Sequence, residues 1–150
     1  MKTQGNQPQR IVVKVGTSTL TGGLGKIDRD YIKDLVAQIV RQVSSGKQCV
    51  IVTSGAIRAG VEKLKLDSLP RTIPEKQAAA AVGQGILLHT YAEYLNEMGI
   101  SAAQLLLTRD DFVDRQRYLN ARNTLNSLLS YGCVPIINEN DTIAVDEIKF

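Results

Sequence analysis

Short, mostly apolar runs, several of them rich in β-branched residues, alternate with long stretches of helical spacing along nearly the whole chain. The runs lack the alternation of polar and apolar residues that marks a half-exposed strand, which is typical of strands buried on both faces of a parallel sheet. The predicted strands are Arg10–Val15, Cys49–Thr53, Ala102–Leu107 and Val134–Ile137. Helical spacing predicts helices between Asp28 and Gly46, from the turn Ser54-Gly55-Ala56 to about Leu64, from Pro74 to Met98 and from Tyr118 to Tyr131.

This order of elements predicts the fold class. Strands that alternate with helices form a mostly parallel sheet with helices on both faces, so we expect an α/β protein. Residues 1–9 form a polar N-terminal tail, and residues 10–150 form one domain. A Gly- and Thr-rich loop is expected at residues 16–25, and a hairpin is expected to begin in residues 143–150. Because the chain stops directly after that apparent strand, we expect the sheet to be truncated.

Composition excludes several classes of protein. The chain has 150 residues, 43% hydrophobic and 22% charged, and its net charge of +3 is too small and too dispersed to indicate nucleic-acid binding. No apolar run approaches the roughly 20 residues that span a bilayer, and the polar start lacks a signal-peptide core. Cys49 and Cys133 have no metal-ligand neighbours and indicate thiols of a reducing compartment. We therefore expect a cytoplasmic protein with no membrane partner.

Unusual residues gather at the carboxyl ends of three predicted strands. Lys14 lies at the end of the first strand and Gly16 follows it, Ser54 and Gly55 follow the second, and Asn138-Glu139-Asn140-Asp141 follows the fourth. Ligands of open parallel sheets bind outside these strand ends. The sequence therefore predicts one site at this edge of the sheet.

Each group has a functional and a structural interpretation. Lys14 is either a phosphate ligand, with Gly16 letting backbone N–H groups approach the anion, or a lysine that extends from the strand end into solvent. Ser54-Gly55 opens a helix that favours a carboxylate or a phosphate, or is a plain helix cap. The run from Asn138 to Asp141 suits a substrate amino group or a metal held through water, or is a turn. No residue is assigned as a direct metal ligand.

Two common nucleotide motifs are missing from the chain. It has no G-x-x-x-x-G-K-[ST] loop, and no G-x-G-x-x-G follows the first strand. A nucleotide, if one binds, must be held by another architecture.

Six stretches together resemble the amino-acid kinase superfamily, and within it the glutamate 5-kinases. Three of them, Q-L-L-L-T-R, Y-L-N-A-R-N-T-L and V-P-I-I-N-E-N-D, make the resemblance specific. It covers nearly the whole chain from Arg10 to Phe150. The matching stretches are V-V-K-V-G-T-S (12–18), V-I-V-T-S-G-A-I (50–57), K-Q-A-A-A-A-V-G-Q (76–84), Q-L-L-L-T-R (104–109), Y-L-N-A-R-N-T-L (118–125) and V-P-I-I-N-E-N-D (134–141).

The resemblance implies an activity and its ligands. Glutamate 5-kinases transfer the γ-phosphoryl group of ATP, with Mg²⁺, to the side-chain carboxylate of L-glutamate, which is the first step of proline biosynthesis. Proline as a feedback inhibitor and a homo-oligomeric assembly are implied as well.

Residue roles follow from the matched motifs. Lys14 corresponds to the catalytic lysine that contacts the transferring phosphoryl group, and Gly16 to the ATP phosphate loop. Ser54 and Asp141 match glutamate-binding positions, and Gly55 and Asn138 lie in the same motifs.

The family continues beyond the stretches that match here. Its members carry a further glutamate-binding asparagine, a nucleotide-binding half and often a PUA domain. This chain is therefore expected to be the amino-terminal, glutamate-binding part of a three-layer sandwich, and its activity alone stays open. Two alternatives remain: another amino-acid kinase, such as an aspartokinase or a carbamate kinase, and a non-catalytic module that binds glutamate or proline.

Overall fold

The computed structural model describes residues 9–23 and 25–144, so most of the predicted tail at 1–9 lies outside the described residues. Strands and helices alternate as the sequence predicts. In chain order the elements are β1 (Arg10–Lys14), α1 (Thr17–Thr21), α2 (Arg29–Ser44), β2 (Gln48–Val52), α3 (Ala56–Leu64), α4 (Ile73–Glu97), β3 (Ala102–Leu107), α5 (Asp110–Val113), α6 (Arg115–Ser130) and β4 (Val134–Glu139).

The four strands form one sheet in the order β1-β2-β4-β3, and every neighbouring pair is parallel. The register places Lys14 beside Val52, Val52 beside Ile137 and Leu105 beside Ile137. The prediction of an α/β fold with a parallel sheet is confirmed.

The strand order places helices on both faces of the sheet. The β1–β2 and β2–β3 crossovers run in one direction across the sheet, and the β3–β4 crossover runs back. Because such crossovers are right-handed, α2, α3 and α4 cover one face and α6 covers the other. The main apolar core lies on the first face, where Ile51 and Ile136 meet Tyr91 and Leu87 of α4. The second face buries Val50 next to Ile51, since successive side chains of a strand alternate.

Helices α3 and α4 cross at very close range. A Cβ atom on Gly83 would lie 1.7 Å from the backbone oxygen of Ala56, and one on Gly60 would lie 1.8 Å from that of Ala79. Real Cβ atoms essentially never come within 3.0 Å of another heavy atom. The contact therefore requires glycine at both positions.

Helix boundaries follow from local capping chemistry. The Asp28 carboxylate accepts a hydrogen bond from Tyr31 N at 2.9 Å and so caps α2, as predicted. Thr72 and Glu75 form a capping box at the start of α4, where Pro74 occupies the first turn. Helix α2 ends shortly before Gly46, also as predicted.

Several predicted boundaries were wrong. The segment predicted as a loop after β1 contains α1, because Leu20 is completely buried in the core and anchors a short helix there. Helix α6 begins three residues before the predicted Tyr118, since Asp114 caps it by accepting from Arg117 N at 2.8 Å. Strand β4 runs two residues beyond the predicted Ile137 because Leu106 and Leu107 of β3 pair with it there. The predicted hairpin falls largely on residues 145–150, outside the described residues.

Candidate active site at the carboxyl ends of the strands

The carboxyl ends of β1, β2 and β4 lie on one edge of the sheet and border a small cavity. Ligands of open parallel sheets usually bind outside these strand ends. The cavity has a volume of about 250 Å³. Its lining residues are Lys14, Thr17, Val52, Thr53, Ser54, Gly55, Ala56, Ile57, Arg58, Asn138, Glu139 and Asp141.

Lys14 is the last residue of β1 and contributes the cation on one side of the cavity. Its side chain is exposed, so the ammonium avoids the cost of burying an unpaired charge. The strand is fixed beneath it by the Val15 N–H, which donates to Val52 O at 2.8 Å. Lys14 therefore combines a rigid backbone with a solvated charge at the cavity wall.

Ser54 is tied to the end of β1 through its hydroxyl group. Ser54 Oγ donates to the Val15 carbonyl at 3.2 Å and lies 3.0 Å from Thr17 Oγ1. Because the Ser54 hydrogen is directed at a carbonyl, the Thr17 hydroxyl is the donor in the second contact. Within Ser54-Gly55 the N-cap of α3 is Gly55, and the Ser54 side chain does not cap the helix.

Gly55 turns the chain from β2 into α3 with a φ of 92°. This left-handed conformation favours glycine over residues that carry a Cβ. Gly55 offers no side-chain acceptor to the first turn of α3, and Ala56 and Ile57 of that turn line the cavity. The start of the helix therefore presents backbone donors and the positive end of the helix dipole to an anion.

Asn138 lies on the opposite side of the cavity, in a network with helix α4. Its side chain is 6% exposed. Asn138 Nδ2 donates to Gln84 Oε1 at 3.1 Å, Gln84 Nε2 donates to Glu139 O at 2.9 Å, and Glu139 N donates to Asn138 Oδ1 at 2.9 Å. Beyond this network the chain turns, and Asp141 adds a partly buried carboxylate to the cavity.

Thr53 connects the floor of the cavity to the core. Its hydroxyl lies 3.2 Å from Tyr91 Oη on α4. Tyr91 is completely buried, and this burial raises its pKa to about 12. The phenol therefore stays protonated at neutral pH.

The structure brings together five of the six residues predicted for the site, and Gly16 is the exception. Lys14, Ser54, Gly55, Asn138 and Asp141 all line the cavity. Gly16 lies between two lining residues and serves as the N-cap of α1.

Sequence reasoning assigned no individual role to four polar residues that line the cavity: Thr17, Thr53, Arg58 and Glu139. Thr17, Thr53 and Glu139 lie inside motifs that the sequence had singled out, so their positions carried a signal. Arg58 is the third residue of α3 and lies in the first turn of the wall that this helix forms.

Two other features concern possible ligands and membranes. Within the ranges 9–23 and 25–144, no three His, Cys, Asp or Glu side chains cluster as a metal site, and no helix is long and apolar enough to cross a membrane.

A wider groove of about 720 Å³ lies between α3 and α4 and contains His89 and Lys63. It contains none of the predicted site residues, and it lies away from the strand ends where small ligands bind such sheets.

The chain is similar in sequence to several known proteins. The chain is 56% identical to the glutamate 5-kinase of Moorella thermoacetica over 144 residues, which is 96% of this chain and 38% of the relative. It is 57% identical to the glutamate 5-kinase of a Thermoanaerobacter species over 93% of this chain and 38% of that protein. A third relative, the glutamate 5-kinase of Clostridium tetani, is 54% identical over 94% of this chain and 53% of its own length.

The chain thus spans between 38% and 53% of the length of these relatives. Residues 9–150, nearly all of the chain, match the amino acid kinase family. This match includes every residue that lines the strand-end cavity. The chain therefore belongs to the amino acid kinase family.

Proposed function

We propose that the protein to which this chain belongs transfers the γ-phosphoryl group of ATP to the side-chain carboxylate of L-glutamate. The product is glutamyl 5-phosphate, an activated acid for proline biosynthesis. One observation carries the proposal: a single small cavity contains a cation, backbone and hydroxyl donors, and a carboxylate, supplied by the ends of β1, β2 and β4.

The chemistry of the cavity fits an amino acid with two carboxylates. Asp141 suits the substrate ammonium, while Ser54 and the start of α3 suit a carboxylate. The Ser54 hydrogen can turn from the Val15 carbonyl toward a ligand oxygen, because a hydroxyl rotates about its C–O bond. A volume of about 250 Å³ lies just below the roughly 300 Å³ at which drug-sized pockets begin, which suits a single small molecule.

The transfer itself requires positioning and neutralisation of charge. A carboxylate oxygen of glutamate attacks the γ-phosphorus, the bond from that phosphorus to the bridging β–γ oxygen breaks, and ADP leaves with the electron pair. Lys14 lies where its ammonium can offset negative charge on the oxygens between the two substrates. Gly16 carries no Cβ, and a Cβ there would meet nothing within 4 Å, so the backbone is open to a phosphate.

ATP and Mg²⁺ complete the proposed reaction. The donor set of Lys14 and the open backbone at Gly16 fits the anionic phosphates of ATP. Mg²⁺, when bound with the nucleotide, supplies further neutralisation of the phosphate oxygens.

The complete protein can be tested directly for this reaction. It would be incubated with ATP, Mg²⁺ and either L-glutamate or L-aspartate, with hydroxylamine present to convert the acyl phosphate into a hydroxamate, which is detected as its coloured complex with Fe³⁺. We expect hydroxamate with glutamate and only background with aspartate. Equal or greater turnover of aspartate, or none with either acid, would contradict the proposal. The 150-residue chain assayed in parallel shows whether it is active alone.

A further inference from the structure

Helix α4 contacts the two opposite walls of the cavity through consecutive residues. Gly83 lies against Ala56, directly after Ser54-Gly55, and Gln84 bonds to Asn138 and Glu139 at the end of β4. We propose that Gln84 is a positioning residue that fixes the amide of Asn138 for binding glutamate. This inference rests on the proposed function and adds a residue outside the cavity lining to it.

The hydrogen bonds determine how both amide groups are oriented. Glu139 O can only accept, so the group of Gln84 that meets it is Nε2. Gln84 then presents Oε1 to Asn138, and Asn138 must donate to this oxygen from Nδ2. Glu139 N can only donate, so it requires Asn138 Oδ1, in agreement with the same orientation. Two backbone groups and one glutamine therefore leave Asn138 a single amide orientation.

This orientation determines what Asn138 offers a substrate. Its Oδ1 is engaged by Glu139 N, and one hydrogen of Nδ2 is engaged by Gln84. The second Nδ2 hydrogen is then the group that can donate to a substrate oxygen. Asn138 therefore acts as a donor toward a carboxylate, complementary to Asp141 as an acceptor for the ammonium. Without Gln84, only the Glu139 N–H would hold the amide in this orientation.

Burial and close packing keep the network rigid. Gln84 and Asn138 are each 6% exposed, so water competes little for their hydrogen bonds. Gly83 brings α4 into backbone contact with Ala56, which fixes the distance from α4 to the wall formed by α3. The side chain of Gln84 therefore extends to β4 from a part of the α4 backbone whose position is fixed. Both walls of the cavity are thus held by one turn of α4.

The first test replaces Gln84 with leucine in the complete protein. Gln84→Leu has a similar volume but cannot form either hydrogen bond. We expect the KM for glutamate to rise by between about tenfold and a hundredfold, the effect of an ångström-scale misplacement of a binding group, with the KM for ATP within twofold of the wild type. Gln84→Met serves as a second apolar variant if the leucine variant folds poorly.

Thr90→Val is the matched control. Thr90 is 1% exposed on the same helix, and its hydroxyl donates to Ile86 O within that helix. The variant therefore loses a buried hydrogen bond without touching the strand ends. We expect it to lose stability and to keep the wild-type KM for glutamate. A similar KM for the Gln84→Leu and Thr90→Val variants would overturn the inference.

A double-mutant cycle with Asn138→Ala separates positioning from a general structural effect. If Gln84 acts through Asn138, Gln84→Leu raises the KM for glutamate much less in the Asn138→Ala background than in the wild type. If Gln84→Leu raises the KM for glutamate by the same factor in both backgrounds, Gln84 acts independently of Asn138, and the inference is wrong.

Amide hydrogen exchange tests the network without relying on activity. Exchange of the peptide that covers residues 134–144 should be at least about tenfold faster in the Gln84→Leu variant than in the Thr90→Val variant, because the end of β4 loses its connection to α4. Equal exchange would overturn the positioning role even if the wild type phosphorylates glutamate. A wild type without glutamate turnover would instead remove the proposed function, and this readout would still decide whether Gln84 holds the strand end.

Discussion

Lys14 shows how the environment of one residue decides between two interpretations of a sequence. Within the run R-I-V-V-K-V, the lysine could have been a phosphate ligand or a side chain that extends into solvent. In the structure it is both exposed and part of the cavity wall. An exposed ammonium avoids the desolvation cost of burial, and a ligand phosphate can replace its water.

Replacing Lys14 with alanine should reduce turnover far more than glutamate affinity. A cation that acts mainly in the transition state contributes about 3 kcal/mol, so we expect kcat of the complete protein to fall about a hundredfold or more. The KM for glutamate should change less than about threefold. Steady-state kinetics provide the test, with the exposed Lys33→Ala on α2 as control. A loss that appears only in the KM for glutamate would argue against this role.

Tyr91 should make stability depend on pH in the alkaline range. Its pKa rises from an ordinary value near 10 to about 12 in the folded protein because the phenol is buried. The contribution of the neutral Tyr91 phenol to the free energy of unfolding is therefore fully present below pH 10, and it is lost as pH rises through about 12. Relative to Tyr91→Phe, the wild type should lose roughly 1 kcal/mol between pH 9 and pH 11. Urea unfolding of both proteins across this range measures the difference. The same change in the free energy of unfolding with pH for the wild type and for Tyr91→Phe would contradict the prediction.

At the scale of elements, the crossing of α3 and α4 has the strictest requirement for residue size. Both helices approach closely enough for backbone atoms to occupy the space that a Cβ would take at Gly60 and Gly83. Such contacts cannot relax through a rotamer change, because the opposing atoms are backbone. The two helices must therefore move apart if either glycine is replaced.

Two glycines of the same helix should respond in opposite ways to alanine. Gly83→Ala should destabilise the fold by about 3 kcal/mol, because the new methyl group would overlap the Ala56 carbonyl. Gly85→Ala meets nothing within 4 Å and should stabilise the fold by up to about 1 kcal/mol through helix propensity. Thermal or urea unfolding of both variants gives the answer. Equal effects would mean that α3 and α4 do not cross this closely.

The sequence predicted the helices and strands well where local signals were strong. The cap at Asp28, the end of α2 before Gly46 and the position of Pro74 in the first turn of α4 all agree with the structure. The missed element α1 has five residues, and three of them are threonines, which are weak helix formers. Its anchor is the buried Leu20, and burial depends on contacts with residues far along the chain.

At the scale of the whole molecule, the doubly wound sheet assembles the candidate site. The ends of β1, β2 and β4 are far apart in sequence, but their parallel arrangement places them on one edge. A ligand that touches all three ends should stabilise the molecule as a unit. Substrate binding and global stability are therefore expected to be coupled.

Glutamate should raise the melting temperature of the complete protein. At a concentration of about one hundred times its Kd, a ligand that binds only the folded state adds roughly 2.7 kcal/mol, or a few degrees. Aspartate, one methylene shorter, should have a smaller effect at the same concentration. Differential scanning fluorimetry can measure both. Equal shifts for the two acids would contradict a site specific for glutamate.

The sequence by itself determined the α/β class, most element boundaries and the positions of the polar groups at the strand ends. These features depend on residue periodicity and on capping groups within a few positions of each other. The contact of Gly83 with Ala56 and the bonds of Gln84 to Asn138 and Glu139 were decided only by the tertiary structure. They join residues 27 to 55 positions apart, and no local pattern encodes which side chains meet across that distance.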